Sequence, residues 1–167
     1  MLLKLVQRDY AYVQSKYFKE KTMSELTTEK VIAETENFTV SINNLDMLSV
    51  TVRGRWTIPE AKKLEAALKS GLDYLSGQNK PRLILYDARE LNILKIGDTA
   101  TLAELAKILG GLKYDALADF GASNALVSVI KLISRVNKGL GRVRLFNTRD
   151  EAVAYLESVR DAIKSTA

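Results

Sequence analysis

Two kinds of apolar pattern alternate along residues 36–163. Short runs are continuously apolar or apolar at every second position, which is typical of strands. Longer stretches have apolar residues three and four apart, which is typical of amphipathic helices. The strand pattern occurs in five segments: Phe38–Ile42, Met47–Arg53, Arg82–Asp87, Lys113–Asp119 and Arg142–Phe146. The helix pattern follows four residues that are suited to cap a helix: Thr57, Asp98, Ser123 and Thr148.

The order of these elements, β-β-α-β-α-β-α-β-α, predicts an α/β fold with a mostly parallel five-stranded sheet. Strands separated by a helix pair in parallel through right-handed crossovers. The tight turn Asn43–Asp46 joins the first two strands, so the N-terminal hairpin strand is predicted to be antiparallel. Four consecutive apolar residues, Leu83–Tyr86, indicate a central strand buried on both faces. This strand is predicted to end at Asp87, with a loop from there to Asp98.

Residues 1–35 are predicted to form an amphipathic helix and a linker ahead of a compact domain at residues 36–167. Apolar residues three and four apart would line one face of that extra N-terminal helix: Leu3, Val6, Tyr10, Val13 and Tyr17. Such a helix needs a surface to cover. It can dock on its own domain, on a second subunit or on a membrane surface, and Met23 can be an alternative start. We expect a homo-oligomer, formed through this stripe.

The composition excludes several kinds of chemistry. The chain has no cysteine and no histidine, so it contains no disulfide, no zinc–thiolate site and no serine–histidine triad. The net charge of +5 is modest for 167 residues and does not by itself predict nucleic-acid binding. No apolar run reaches the roughly 18 residues of a transmembrane helix. We therefore expect a cytoplasmic protein without a cofactor, a bound metal or a nucleic-acid partner.

The closing stretch of the domain, Arg142–Leu156, carries a resemblance to a known family. It consists of a valine-rich strand ending in phenylalanine, a short acidic cap, and a helix with an aromatic–leucine pair. It is similar to the end of SpoIIAA-like proteins, relatives of the STAS domain of anti-sigma-factor antagonists. The hairpin, the helix capped by Thr57 and the strand ending at Asp87 also fit, so the resemblance covers Glu36–Val159. It implies a STAS-like α/β fold and a regulatory function through protein partners.

The loop after the central strand is the first candidate site. Asp87 and Glu90 lie where the strand is predicted to end, and this edge of an open α/β sheet commonly binds ligands. The two acids are interpreted as turn residues, as a partner contact, or as a metal or acid–base pair. The resemblance implies a phosphorylated residue at the start of the next helix. There Asp98 matches the family pattern, Thr99 can replace its serine, and Thr101 belongs to the same turn.

A basic segment is the second candidate site. Lys131, Arg135 and Lys138 share one face of a predicted helix, and Arg142 follows on the next strand. A solvated basic face is the simplest interpretation. The alternative is a surface for an anionic partner, which can be an acidic protein or a lipid headgroup.

Three functions remain open at the level of sequence. The first is a non-catalytic, self-associating regulatory module that recognises a protein. The second is a carrier of a lipid or another hydrophobic ligand, since the SpoIIAA-like fold also resembles that of Sec14-type lipid-binding domains. The third and most remote is an enzyme that uses carboxylates or lysine in a pocket that shifts their pKa values.

Overall fold

A computed structural model describes residues 29–96, 99–124, 127–128, 131 and 143–166, with only the backbone described for 92–96 and 99. The predicted N-terminal helix, with its stripe from Leu3 to Tyr17, lies outside these residues. The strands are β1 (Lys30–Glu34), β2 (Phe38–Ile42), β3 (Leu48–Trp56), β4 (Leu83–Ile96), β5 (Ala116–Phe120) and β6 (Val143–Phe146). The described helices are α1 (Ile58–Gly77), α2 (Thr99–Gly111) and α3 (Arg149–Thr166).

The predicted α/β fold is confirmed, with one strand more than expected. The strands form a single six-stranded sheet in chain order; β1, β2 and β3 are antiparallel and β3 to β6 are parallel. The prediction of five strands was wrong because β1 lies in the stretch assigned to the linker. Its sequence is short and polar at both ends, but pairing with β2 and packing of Ile32 and Ala33 on the core stabilise it as a strand.

Each face of the sheet carries its own hydrophobic core. Because β3 to β6 follow one another in one direction, right-handed crossovers place their connecting helices on the same face. Accordingly α1 and α2 pack together over one face, where Val50, Ile84 and Leu117 point. Helix α3, which follows β6, packs on β4, β5 and β6 from the opposite face through Ala152 and Leu156. None of the described helices is long and apolar enough to cross a bilayer.

Strand β4 is much longer than predicted. It does not end at Asp87 but continues to Ile96, so most of the segment assigned to a loop is strand. The extension pairs with β3, where Arg53 aligns with Glu90 and Trp56 with Ile96, across two shifts in register. The nine-residue β3 provides hydrogen-bonding groups well beyond the point where the five-residue β5 ends. That template is the physical reason for the extension.

Two predicted helix caps, Thr57 and Thr148, are confirmed, and they explain where α1 and α3 begin. The backbone N–H of Glu60 donates to Thr57 Oγ1 (3.4 Å), and the Thr57 hydroxyl donates to Glu60 Oε2 (2.9 Å). At α3, the N–H of Glu151 donates to Thr148 Oγ1 (3.3 Å), and the N–H of Thr148 donates to Glu151 Oε2 (3.1 Å). The cap at Thr57 satisfies one amide group that has no partner within the helix, and the cap at Thr148, which is a capping box, satisfies two.

We expect Gly71→Ala to destabilise the protein. A Cβ at Gly71 would collide with Cδ1 of Leu48, which is fully buried between α1 and the sheet. Overpacking of this kind costs about 1–3 kcal/mol, more than the roughly 1 kcal/mol that alanine gains over glycine in a helix. Gly77→Ala is the control, because nothing lies within 4 Å of its added Cβ. Urea unfolding should show a loss for Gly71→Ala alone; equal stability of the two variants would contradict this packing.

Candidate functional site

The candidate site lies where β5 and β6 end. Strand β5 pairs with β4 only as far as Asp87, which aligns with Phe120, and Phe120 in turn aligns with Phe146 of β6. These three residues form a row across the carboxyl edge of the parallel strands. That edge is the usual ligand-binding edge of an open α/β sheet. Asp87 therefore occupies the predicted edge although its own strand continues past it.

Arg89 is held rigidly on this row although it lies at the surface. Its Nε donates to Asp87 Oδ1 (2.9 Å) and its Nη2 to Oδ2 (2.7 Å), while its backbone N–H donates to Oδ1 (3.1 Å). Its Cζ also lies 5.3 Å from the centroid of the Phe120 ring. The hydrogen bonds to Asp87 raise the pKa of Arg89 above its ordinary value. The side chain of Arg89 is 65% exposed and that of Asp87 only 14%, so the guanidinium faces solvent and the carboxylate lies beneath it.

Gly121 makes room for Arg89. Its φ of +75° lies in the region that favours glycine, and a Cβ there would collide with Arg89 Cγ. The backbone N–H of Gly121 donates to Phe146 O (3.4 Å), which ties this turn to the end of β6. The arginine stem thus lies against the bare backbone of Gly121, and the guanidinium lies over the ring of Phe120. We call Asp87, Arg89, Glu90 and Phe120 the carboxyl-edge surface.

The two acids singled out from the sequence have different surroundings. Both oxygens of Asp87 accept hydrogen bonds from Arg89, whereas Glu90 is exposed and aligns with Arg53 on β3. Among the described residues, no three acidic side chains lie close enough to hold a metal ion. The geometry at Asp87 is that of a structural ion pair.

Sequence reasoning missed a third acid, Asp119. It lies one residue before Phe120, is only 4% exposed, and its Oδ1 has no hydrogen-bond partner among the residues that the structure describes. Burial, and secondly the charge of Asp87, raises the pKa of Asp119 to about 7. Its cross-strand neighbour Tyr86 is buried as well, and burial raises the pKa of the Tyr86 hydroxyl. The available signal was an acid in the apolar run Ala116–Phe120, all of which is buried.

Asp87 and Asp119 face opposite sides of the sheet. Tyr86 and Ala88, which flank Asp87, belong to the core under α1 and α2, so Asp87 points to the α3 side. Ala118 and Phe120, which flank Asp119, belong to the core under α3, so Asp119 points away from it. The two carboxyl groups therefore do not meet on one substrate as an acid and a base.

Three of the remaining predicted site residues are described by the structure: Thr99, Thr101 and Lys131. Thr99 is the first residue of α2, and Thr101 is 2% exposed, so its side chain is not presented to a partner or a kinase. Lys131 is exposed. The other members of the two sets lie outside the described residues: Asp98, Arg135, Lys138 and Arg142. The structure therefore brings together only the part of the first candidate site around Asp87.

No family model, no curated protein and no solved structure matches this chain. The resemblance of Glu36–Val159 to SpoIIAA-like proteins therefore stays a prediction from the residues that carry it. The function of the carboxyl edge has to be inferred from the contacts of its own side chains.

Asp119→Asn should change how stability depends on pH. Because the folded-state pKa of Asp119 is raised from 3.8 to about 7, its contribution to stability is fully present below 3.8 and is lost as the pH rises toward 7. The amide stays neutral throughout. The stability of Asp119→Asn relative to the wild type should therefore increase by roughly 2–4 kcal/mol between pH 4 and pH 7.5.

Urea unfolding at a series of pH values measures this difference. Because the test uses the change with pH of the stability difference between variant and wild type, a packing cost of the amide that does not depend on pH cancels. Asp161→Asn on the exposed side of α3 is the control and should show no such trend. If the free energies of unfolding of the wild type and Asp119→Asn differ by the same amount at every pH, a buried titrating carboxyl at Asp119 is ruled out.

Proposed function

We propose that this chain is a non-catalytic module that recognises a partner protein through the carboxyl-edge surface. The observation that carries the proposal is Arg89, which is exposed to solvent and yet held by a two-pronged ion pair with Asp87 and by the ring of Phe120. Arginine and aromatic residues are enriched among the residues that contribute most to protein–protein binding.

The geometry of Arg89 lowers the cost of binding. An exposed arginine ordinarily loses side-chain entropy when a partner immobilises it, at about 0.5–1.5 kcal/mol. Here Asp87, Phe120 and Gly121 have already restricted the side chain. Two of the five guanidinium N–H groups donate to Asp87, which leaves three for a partner. A carboxylate or a backbone carbonyl is the chemistry that these groups recognise.

The carboxyl groups nearby support a binding function rather than a catalytic one. Those of Asp87 and Asp119 lie on opposite faces, and both oxygens of Asp87 are occupied by Arg89. Neither carboxyl group is therefore presented at the carboxyl-edge surface as a free general base. The resemblance to SpoIIAA-like proteins favours the same class of function. Self-association through the stripe from Leu3 to Tyr17 remains a separate prediction.

Arg89→Ala should abolish partner binding while leaving the fold intact. Arg82→Ala is a matched control, because Arg82 forms a similar pair with Asp115 at the opposite edge of the sheet. Partly exposed ion pairs contribute at most about 1 kcal/mol to stability, so both variants should stay folded. Affinity capture from source cells should recover a protein with the wild type and with Arg82→Ala but not with Arg89→Ala.

The captured protein is then tested with purified components. Calorimetry should give a dissociation constant at least tenfold higher for Arg89→Ala, and Arg89→Lys should lie between, since lysine keeps the charge but loses the planar fork. Light scattering of the isolated chain shows whether the captured protein is a second copy. If both alanine variants lose the same proteins, or neither does, the carboxyl-edge surface is not the recognition site.

A further inference from the structure

A groove lies at the opposite, amino edge of the parallel strands, between the C-terminal ends of α1 and α2. Its volume is about 310 Å³. Leu72 and Leu112 form its apolar floor and are 4% and 7% exposed. Asp73, Arg82 and Lys113 stand around this floor, and the backbone of Gly111 forms part of the wall. We call these residues the amino-edge groove.

The charged groups at the groove differ in how they are engaged. Arg82 is held by Asp115, which accepts from its Nη2 (2.9 Å) and from its backbone N–H (2.7 Å). Lys69, which also borders the groove, pairs with Glu65 at 2.6 Å. Asp73 and Lys113 form no ion pair within the part of the chain that the structure describes. The groove therefore presents one unpaired carboxylate and one unpaired ammonium beside a rigid guanidinium.

The two helix ends add negative potential on one side of the groove. Both α1 and α2 end here, and neither carries a basic residue in its last turn. The partial negative charge of a helix C-terminus favours a cation within about one turn of the end. Together with Asp73, these ends are suited to a ligand ammonium group. Arg82 and Lys113 are suited to a ligand carboxylate.

We infer that the amino-edge groove binds an apolar α-amino acid. The ammonium group of the ligand lies at Asp73, its carboxylate at Arg82 and Lys113, and its side chain on Leu72 and Leu112. The volume is at the small end of the range for ligand pockets, which matches a molecule of amino-acid size rather than a lipid.

The charge balance favours a zwitterion over an ion. Three basic groups at the groove (Lys69, Arg82 and Lys113) are matched by three acids, namely Asp73 and the two ion-pair partners Glu65 and Asp115. A net anion or cation would therefore meet as much repulsion as attraction. This site shares no residue with the carboxyl-edge surface and goes beyond the function proposed for that surface.

Titration of the full-length protein with L-leucine, followed by backbone amide NMR, tests the inference. We expect saturable shifts at Leu72, Leu112 and Lys113. Two probes each remove one charge from the ligand: 4-methylpentanoate lacks the ammonium group and isoamylamine lacks the carboxylate. Glycine lacks the apolar body. Each of these probes should bind at least tenfold more weakly than leucine.

Replacing each of two glycines by leucine distinguishes the effect of filling the groove from the effect of a substitution at a helix end. A side chain at Gly111 extends into open space on the wall of the groove, whereas Gly77 is equally unobstructed but does not line it. Gly111→Leu should abolish leucine binding and Gly77→Leu should preserve it. Asp73→Asn and Lys113→Gln should each raise the dissociation constant at least fivefold. Capture of a protein partner through Arg89 should be unchanged in all four variants.

Three results would overturn the inference. The first is the absence of saturable shifts at the groove with leucine up to tens of millimolar. The second is binding that survives Gly111→Leu. The third is equal binding of leucine and 4-methylpentanoate, which would identify a site for simple apolar anions. None of these results bears on Arg89, so failure here and failure of the proposed function are distinguishable.

Discussion

Strand β4 is the element on which the rest of the structure depends, because its first half is hydrogen-bonded on both sides. Residues Ile84 to Asp87 pair with β3 on one side and β5 on the other, and Leu83 pairs with β5. Their side chains alternate between the two cores: Ile84 and Tyr86 pack under α1 and α2, and Leu83 and Leu85 pack under α3. A slip of one residue would exchange the two sets and place Asp87 in a core. The register of β4 therefore sets the position of both cores and of the carboxyl edge.

The same strand separates the two candidate surfaces. Parallel strands have distinct amino and carboxyl edges, and an arginine–aspartate pair lies at each. Arg82, just before β4, pairs with Asp115, and Arg89 on β4 pairs with Asp87. The chemistry of the two pairs is alike, but their surroundings differ. Arg89 lies on an aromatic ring and faces solvent. Arg82 borders a groove between two helix ends. Because of these different surroundings, the two similar ion pairs are suited to different ligands.

Local patterns predicted much of the architecture. Capping residues at Thr57 and Thr148 located two helix starts, and alternating residues located β2 and most of β3. Strand β1 and the second half of β4 were misjudged because each forms a strand by pairing with residues that are distant in sequence. Strand β1 pairs with the side of β2 that faces away from β3, and the second half of β4 pairs with the C-terminal end of β3. Neither Lys30–Glu34 nor the stretch after Asp87 carries a decisive pattern of its own.

The candidate site shows the same division. Asp87 was located from sequence because a polar residue after four apolar ones is a local signal. The absence of histidine and cysteine excluded a zinc–thiolate site and a serine–histidine triad without any structure. The direction of each side chain was not accessible in this way. Only the tertiary structure placed Arg89 over Phe120, turned Asp119 to the face away from Asp87, and brought the ends of α1 and α2 together around a groove. Sequence periodicity reports which residues share a face of one element, whereas these contacts join different elements through the register and crossovers of the sheet.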